Sequence, residues 1–227
     1  YYLASYCLTG ALRLPFPGAL AWLESNSYYQ MIRVLAGQAL FVEPSVEYVP
    51  FPYPPLYFYA SAVLAHLTGP GFLPLRLVSY ISSLGSMALI GYIVYRESSR
   101  RSAGLWAAGL FAATYSLIAT YFDMGRVDSL FLFLFLGALS AVRFTAGLKG
   151  CVCAAVLLAG ATITKQTGLV LSLPLMLYVF LFRTRVQALC FTMIFILLDR
   201  ETEFRILLMK LNGEQLYSKF FRKKMVG

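Results

Sequence analysis

Long stretches without a charged side chain are the feature of this sequence that most restricts its fold. Nineteen uncharged residues follow Arg76, 21 follow Arg101 and 17 follow Lys165. A helix of about 20 apolar residues crosses the hydrocarbon core of a bilayer. Because 59% of the residues are hydrophobic, 13% are charged and the mean hydropathy is +0.71, we predict a polytopic membrane protein and exclude a soluble domain.

Shorter apolar stretches extend this pattern. Together, the apolar stretches predict seven helices after residue 55, at 56–67, 75–95, 102–122, 129–142, 150–164, 166–182 and 186–198. The stretch before Arg13 has about 12 residues, too few to span, and the sequence starts with tyrosine. We therefore expect an all-α transmembrane bundle with a truncated N-terminus.

Residues 13–55 differ in composition from the rest of the chain. They contain three glutamates, seven prolines and no uncharged stretch long enough to span. We predict an extramembrane loop with an interfacial helix at 22–40, whose amphipathic aromatic face consists of Trp22, Tyr28, Tyr29, Ile32 and Leu35. The predicted division is a membrane module over 1–198 and a polar, basic tail over 199–227, to which no role is assigned.

The excess of positive charge is explained by topology. The chain carries a formal net charge of +9, and three loops between apolar stretches hold many of the cations: 96–101, 143–149 and 183–185. The positive-inside rule places these loops in the cytoplasm and puts 123–128 and Lys165 on the other face. The segment 56–67 is short for a span. If it does not cross, the loop 13–55 lies on the same outer face as 123–128.

Glu24 is the first candidate for chemistry. In an apolar, partly dehydrated setting at a membrane edge, the pKa of a carboxyl group rises, which suits it to take a proton from an attacking hydroxyl. The alternative is an exposed residue near the start of an interfacial helix, where a negative charge is favourable. The sequence leaves both interpretations open.

A second polar group surrounds the join between two apolar stretches. Asp123, Arg126 and Asp128 lie within six residues, and Lys165 lies at a later join on the same side. Charges beside hydrocarbon need a partner or a solvated cavity. Either Arg126 forms a local ion pair, or Arg126 and Lys165 bind a phosphate or diphosphate, for which a guanidinium and an ammonium group are suited.

A metal site is not predicted. The four cysteines lie in apolar stretches, Cys151 and Cys153 have no second ligand pair, and His66 is the single histidine. No carboxylate cluster resembles a dedicated metal cage, although a divalent cation could assist by neutralising phosphate charge.

The order of the motifs resembles that of a known family. The sequence has a loop acid, then Gly37-Gln38, Pro54-Pro55-Leu56-Tyr57, Arg76-Leu77, Gly125-Arg126-Val127-Asp128 and Thr164-Lys165-Gln166. This set, within about residues 10–185, resembles glycosyltransferase family 39 with the GT-C fold, which is related to protein mannosyltransferases and lipid A aminoarabinose transferases. The resemblance fades after about residue 185, which favours a fragment.

The resemblance implies roles for the polar residues. It implies transfer of a hexose or pentose from a polyprenyl-phosphate donor to a lipid, glycan or protein acceptor on the extracytoplasmic face. Glu24 then occupies the position of the loop carboxylate that acts as base, more often an aspartate in this family. The cavity residues by the same matching are Arg126 and Lys165 at the donor phosphate, Asp128 orienting them, and Asp123, Tyr53 and Tyr57 along the cavity.

The sequence allows two other functions. The charges of 123–128 and Lys165 could line a path through a lipid or amphiphile transporter, or flippase. Alternatively, the chain is an inactive membrane fragment in which those charges pair locally. All three readings predict a multi-pass protein of the plasma or inner membrane that contacts membrane lipids and no nucleic acid.

Overall fold

The computed structural model describes residues 1–42, 45, 48–118 and 120–199. Its regular secondary structure within these ranges is helical, as predicted. The helices are α1 (Tyr2–Arg13), α2 (Trp22–Leu35), α3 (Leu56–Thr68), α4 (Phe72–Ser98), α5 (Arg101–Ala113), α6 (Val127–Phe144), α7 (Gly147–Thr164) and α8 (Thr167–Phe182), followed by a helical segment at 185–199. The predicted tail lies, after its first residue, outside the described residues.

Within the described residues, three helices have the length and composition of membrane spans. They are α4, α6 and α7, while α3 and α8 are shorter apolar helices. The core between α6 and α7 is built from small side chains, with Ala138, Cys151, Ala154 and Ala155 almost fully buried. Small residues let helix backbones approach closely, which favours helix association within a bilayer.

The start of α4 determines where α3 lies. The Tyr57 hydroxyl, in the first turn of α3, donates a hydrogen bond to the carbonyl of Leu75 and lies 2.9 Å from Ser79 Oγ. Three residues separate the end of α3 from the start of α4. The start of α3 is therefore held against the first two turns of α4.

The predicted helix 102–122 is wrong in its second half. Helix α5 ends at Ala113, and the following chain forms turns, with Thr120 in the left-handed region at φ 60°. The hydroxyl of Tyr115 donates to Asp123, which folds the segment back on itself. A count of apolar residues does not detect this turn because most of its side chains are apolar.

The predicted interfacial helix is present but shorter and oriented differently. Helix α2 ends where Gly37 adopts φ 65° and the Gln38 amide bonds the carbonyl of Arg33, a Schellman motif. Trp22 and Tyr29 are exposed. The other three residues of the expected aromatic face, Tyr28, Ile32 and Leu35, pack against the apolar cluster around α3 and the start of α4.

Helices α4 and α5 touch through glycines. A Cβ atom on Gly104 would lie 2.5 Å from the carbonyl oxygen of Gly91. We expect Gly104→Ala to lower stability by about 1–3 kcal/mol because the two backbones must separate. Thermal unfolding of the detergent-solubilised protein measures this. Gly109→Ala, in the same helix with no atom within 4 Å of the new methyl group, is the control. An equal response of both variants contradicts the expectation.

Candidate functional site

Three charged side chains meet at one end of the bundle, and we call Arg126, Asp128 and Lys165 the cationic cluster. Arg126 precedes α6, Asp128 lies in its first turn, and Lys165 follows the last residue of α7. Arg126 Nε is 2.8 Å and Lys165 Nζ is 2.6 Å from the two carboxylate oxygens of Asp128. Two cations share one anion, which leaves the cluster with a net charge of +1.

Both cations remain accessible while they are held in place. The side chains of Arg126 and Lys165 are 15% and 26% exposed. The Arg126 guanidinium lies 4.1 Å from the ring centre of Tyr121, and Lys165 Nζ lies 5.9 Å from that of Phe131. An aromatic face attracts a cation without neutralising its charge. The cluster can therefore attract an anion.

Two cavities adjoin the cluster. The larger, of about 180 Å³, is lined by Ile118, Tyr121, Phe122, Arg126, Asp128, Ser129 and Leu132. The smaller, of about 10 Å³, is lined by Leu23, Ser27, Phe51, Tyr53, Arg126, Val127 and Asp128. Arg126 and Asp128 line both cavities. A ligand in the larger one would meet a cation beside apolar walls.

Glu24 is fully buried against Arg76. Both side chains are 0% exposed, and Arg76 Nε and Nη2 each lie 2.8 Å from one carboxylate oxygen of Glu24. The amides of Leu20 and Gly125 donate to the same carboxylate, at 2.7 and 2.8 Å. Arg76 also donates to the carbonyl of Gly18. The pair thereby connects the loop before α2, the start of α4 and the turn before α6.

The expected rise in the pKa of Glu24 is wrong. Burial by itself raises the pKa of this carboxyl, but the hydrogen bonds from Arg76, Leu20 and Gly125 and the charge of Arg76 outweigh it and lower the pKa below its ordinary value. The exposed alternative is wrong as well, since the side chain is inaccessible. To accept a proton from a hydroxyl, Glu24 would first have to release these donors.

Asp123 lies apart from the cationic cluster. Its carboxylate accepts a hydrogen bond from Tyr115 and lies 3.3 Å from Arg13 Nε, next to Tyr6. Burial raises the pKa of Asp123, partly offset by Tyr115 and Arg13. Its side chain is 1% exposed and lines neither cavity beside Arg126 in the described part of the chain. The structure thus places Asp123 in a link between α1 and the turn before α6.

The two tyrosines expected along the cavity differ. Tyr53 lines the small cavity beside Arg126, and the neighbouring carbonyl of Pro52 accepts a hydrogen bond from the Gln166 side chain. Tyr57 is fully buried, with its hydroxyl bonded within the α3–α4 contact, so it does not border a cavity mouth. Its expected role is corrected to packing.

The sequence did not predict that Arg76 pairs with Glu24 or that Arg13 pairs with Asp123. In the sequence, Arg76 belongs to the Arg76-Leu77 motif and precedes an uncharged stretch, and the sequence indicates no partner for it. One signal is available: an arginine inside the predicted apolar stretch 75–95 requires an anion. The sequence did not indicate that this anion is Glu24, 52 residues earlier.

The residues described here do not offer a ready metal cage. Among them, no group of three or more His, Cys, Asp or Glu side chains comes close enough to hold an ion. The carboxylate nearest the cavities, Asp128, already binds two cationic side chains.

Comparison with known proteins gives one family and one similar structure. Residues 52–199 match the family model described as dolichyl-phosphate-mannose-protein mannosyltransferase. The crystal structure of ArnT from Cupriavidus metallidurans bound to undecaprenyl phosphate superposes with a TM-score of 0.68 at 15% identity. The superposition covers 93% of this chain and 42% of the ArnT chain. No curated protein matches the sequence. The fold is thus a GT-C-like helical bundle.

Proposed function

Because the chain belongs to the dolichyl-phosphate-mannose-protein mannosyltransferase family, we propose that it is part of a membrane glycosyltransferase that uses a polyprenyl-phosphate sugar. The observation that carries the proposal is that Arg126 and Asp128 line a cavity with apolar walls, and that Lys165 is bound to the same Asp128 carboxylate. A cation pair beside an apolar cavity fits a ligand that has a phosphate at the end of a hydrocarbon chain. The undecaprenyl phosphate bound by ArnT has this chemistry.

The cationic cluster is suited to stabilise the negative charge that develops on the leaving phosphate during sugar transfer. The bond between the sugar C1 and the phosphate oxygen breaks, the bond from C1 to the acceptor oxygen forms, and the acceptor proton goes to a base. Negative charge then grows on the departing phosphate. Arg126 and Lys165, held in advance by Asp128, are placed to stabilise that charge at little reorganisation cost. Phosphate is already a good leaving group, so its protonation is not required.

The end of the bundle that carries the cluster supports an extracytoplasmic site. Arg143, at the other end of α6, pairs with Glu97 beside the basic loop 96–101, which the positive-inside rule assigns to the cytoplasm. Glu24 and Pro52 of the loop 13–55 contact Gly125 and Gln166. The loop 13–55 and the cationic cluster therefore lie at the same end of the module 1–198. We propose that this end lies on the extracytoplasmic side of a plasma or inner membrane.

The identity of the base stays a prediction. The family resemblance assigns it to Glu24, whose carboxylate accepts four hydrogen bonds and lines neither cavity within the described residues. That role would require a rearrangement in which Arg76 and Gly125 release the carboxylate. A transfer assay in membranes identifies the sugar and the acceptor.

Transfer in membranes tests the proposal. Membranes carrying the full-length protein are incubated with radiolabelled polyprenyl-phosphate hexoses and pentoses, and label is followed into lipid, glycan and protein fractions. We expect transfer from at least one donor and its loss in Arg126→Ala. Undecaprenyl diphosphate sugars serve as the comparison donor. Labelling from a donor that persists in Arg126→Ala and in Lys165→Ala would contradict the proposed phosphate site.

A further inference from the structure

Glu24 has contacts that suit a role other than proton transfer. Its neighbours Leu23 and Ser27 line the small cavity, whereas Glu24 is not among the lining residues. The Glu24 carboxylate is instead directed at the Arg76 guanidinium and the Gly125 amide.

The Glu24–Arg76 pair holds backbone on two sides. Arg76 donates to the carbonyls of Phe16 and Gly18, at 2.5 Å each, while Glu24 accepts from the amides of Leu20 and Gly125. A buried ion pair is stable where further hydrogen bonds satisfy its remaining atoms, and removing one partner is costly. The pair therefore fixes the loop before α2 against the turn before α6.

The residue fixed in that turn is the neighbour of Arg126. The amide of Gly125 reaches Glu24 at 2.8 Å, and a Cβ atom on Gly125 would lie 2.8 Å from Glu24 Cγ and 3.0 Å from Leu75 Cβ. The turn before α6 therefore packs tightly against the Glu24 side chain. A residue with a Cβ atom at position 125 would force Glu24 or the turn to shift. Gly125 is in close contact with Glu24, so a shift of one requires a shift of the other.

Arg126 has a second backbone anchor. Ser79 Oγ donates to the Arg126 carbonyl at 3.0 Å, and the Arg126 amide points back at the same hydroxyl at 3.4 Å. Ser79 also contacts the hydroxyl of Tyr57. The backbone on both sides of the Arg126 Cα atom is thus held by buried groups, and its guanidinium projects from this support to Asp128.

We propose that Glu24 is a positioning residue, which acts with Arg76 through the Gly125 amide to hold Arg126 beside the cavity. The effect of this positioning on catalysis rests on the proposed function, in which Arg126 binds the donor phosphate. A displacement of about 1 Å in a substrate-positioning group can cost about 100-fold in rate. Replacement of Glu24 therefore acts through the geometry of Arg126.

Chemical labelling of arginine measures this geometry without any substrate. Full-length protein in detergent is treated with phenylglyoxal, and the adducts on Arg126 and Arg143 are quantified separately by mass spectrometry. Arg143 lies at the other end of α6 and is half-exposed, which makes it the internal reference. We expect several-fold faster labelling of Arg126 in Glu24→Gln and in Gly125→Ala, with Arg143 unchanged.

Gly125→Ala disturbs the same contact while it keeps the Glu24 carboxylate. If Glu24 is the base, Glu24→Gln lowers kcat and leaves both the donor KM and the labelling of Arg126 unchanged. If Glu24 positions Arg126, both variants raise the donor KM and speed the labelling of Arg126. Gly109→Ala is the matched control, with unchanged labelling and transfer. Should Glu24→Gln speed the labelling of both Arg126 and Arg143 relative to the native protein, that variant is unfolded and Gly125→Ala alone decides.

Two results separate this inference from the proposed function. Unchanged Arg126 labelling in Gly125→Ala overturns the positioning role, whatever the ligand is. Undecaprenyl phosphate, added to the native protein, should slow Arg126 labelling and leave that of Arg143 unaffected. If it gives no protection while both variants still expose Arg126, the proposed phosphate site fails and the positioning of Arg126 stands.

Discussion

Replacing Arg126 by alanine is expected to lower sugar transfer about 100- to 1000-fold, the cost typical of losing one preorganised donor to a developing negative charge. Lysine at this position should recover part of the loss. It keeps the charge but not the planar, bidentate geometry of guanidinium. Initial rates in membranes with matched protein amounts measure both effects.

The control for this prediction is a cation at the opposite end of the bundle. Arg100 is exposed and lies in the loop after α4, near the Glu97–Arg143 pair. Arg100→Ala removes the same charge from the protein and should leave transfer unchanged. Equal losses in Arg100→Ala and Arg126→Ala would mean that total charge, and not the cationic cluster, determines the rate.

Replacing Arg76 by methionine is expected to destabilise the fold by about 3–5 kcal/mol, because it leaves the Glu24 carboxylate buried without its cation. The carbonyls of Phe16 and Gly18 lose their donor as well. The melting temperature of the detergent-solubilised protein should fall by roughly 10 °C. Differential scanning fluorimetry across several detergents measures this shift.

Arg143→Met is the matched comparison for Arg76→Met. Arg143 also forms a bidentate pair, with Glu97, but the two side chains are 49% and 48% exposed. Water and salt screen such a pair, so its loss should shift the melting temperature far less than the loss of the buried pair. Similar shifts in the two variants would show that burial of the Glu24–Arg76 pair does not govern its contribution.

The two predictions concern one connected arrangement. Arg76 holds Glu24, Glu24 holds the amide of Gly125, and Arg126 follows in the chain. A loss of stability in Arg76→Met would accompany a loss of Arg126 positioning, whereas Arg126→Ala should leave the melting temperature nearly unchanged. Measuring both quantities on both variants separates the stability of the turn from the charge that it presents.

The sequence predicted the positions of most helices. Six of the seven predicted apolar stretches coincide with helical segments to within a few residues at most ends. The exception, 102–122, ends early because Tyr115 bonds Asp123 across a turn. Gly37 is a typical signal for the end of a helix, and α2 ends just before it, whereas the predicted helix ran to residue 40.

The candidate site was predicted in part. The sequence placed Arg126, Asp128 and Lys165 at joins on one face, and the structure brings these three side chains into contact. It also predicted an accessible or weakly acidic Glu24, whereas the structure buries this residue against Arg76. The difference arises because the partner of a charged residue can be far away in the chain.

The sequence by itself determined that this is a helical membrane protein, because apolar content is a property of each stretch and a helix satisfies its backbone hydrogen bonds within the stretch. Tertiary structure alone decided that α3 lies beside α4 and that Glu24 meets Gly125, 101 residues later. Those contacts depend on how α2, α4 and the turn before α6 pack together. A buried carboxylate takes whichever donors that packing brings within reach.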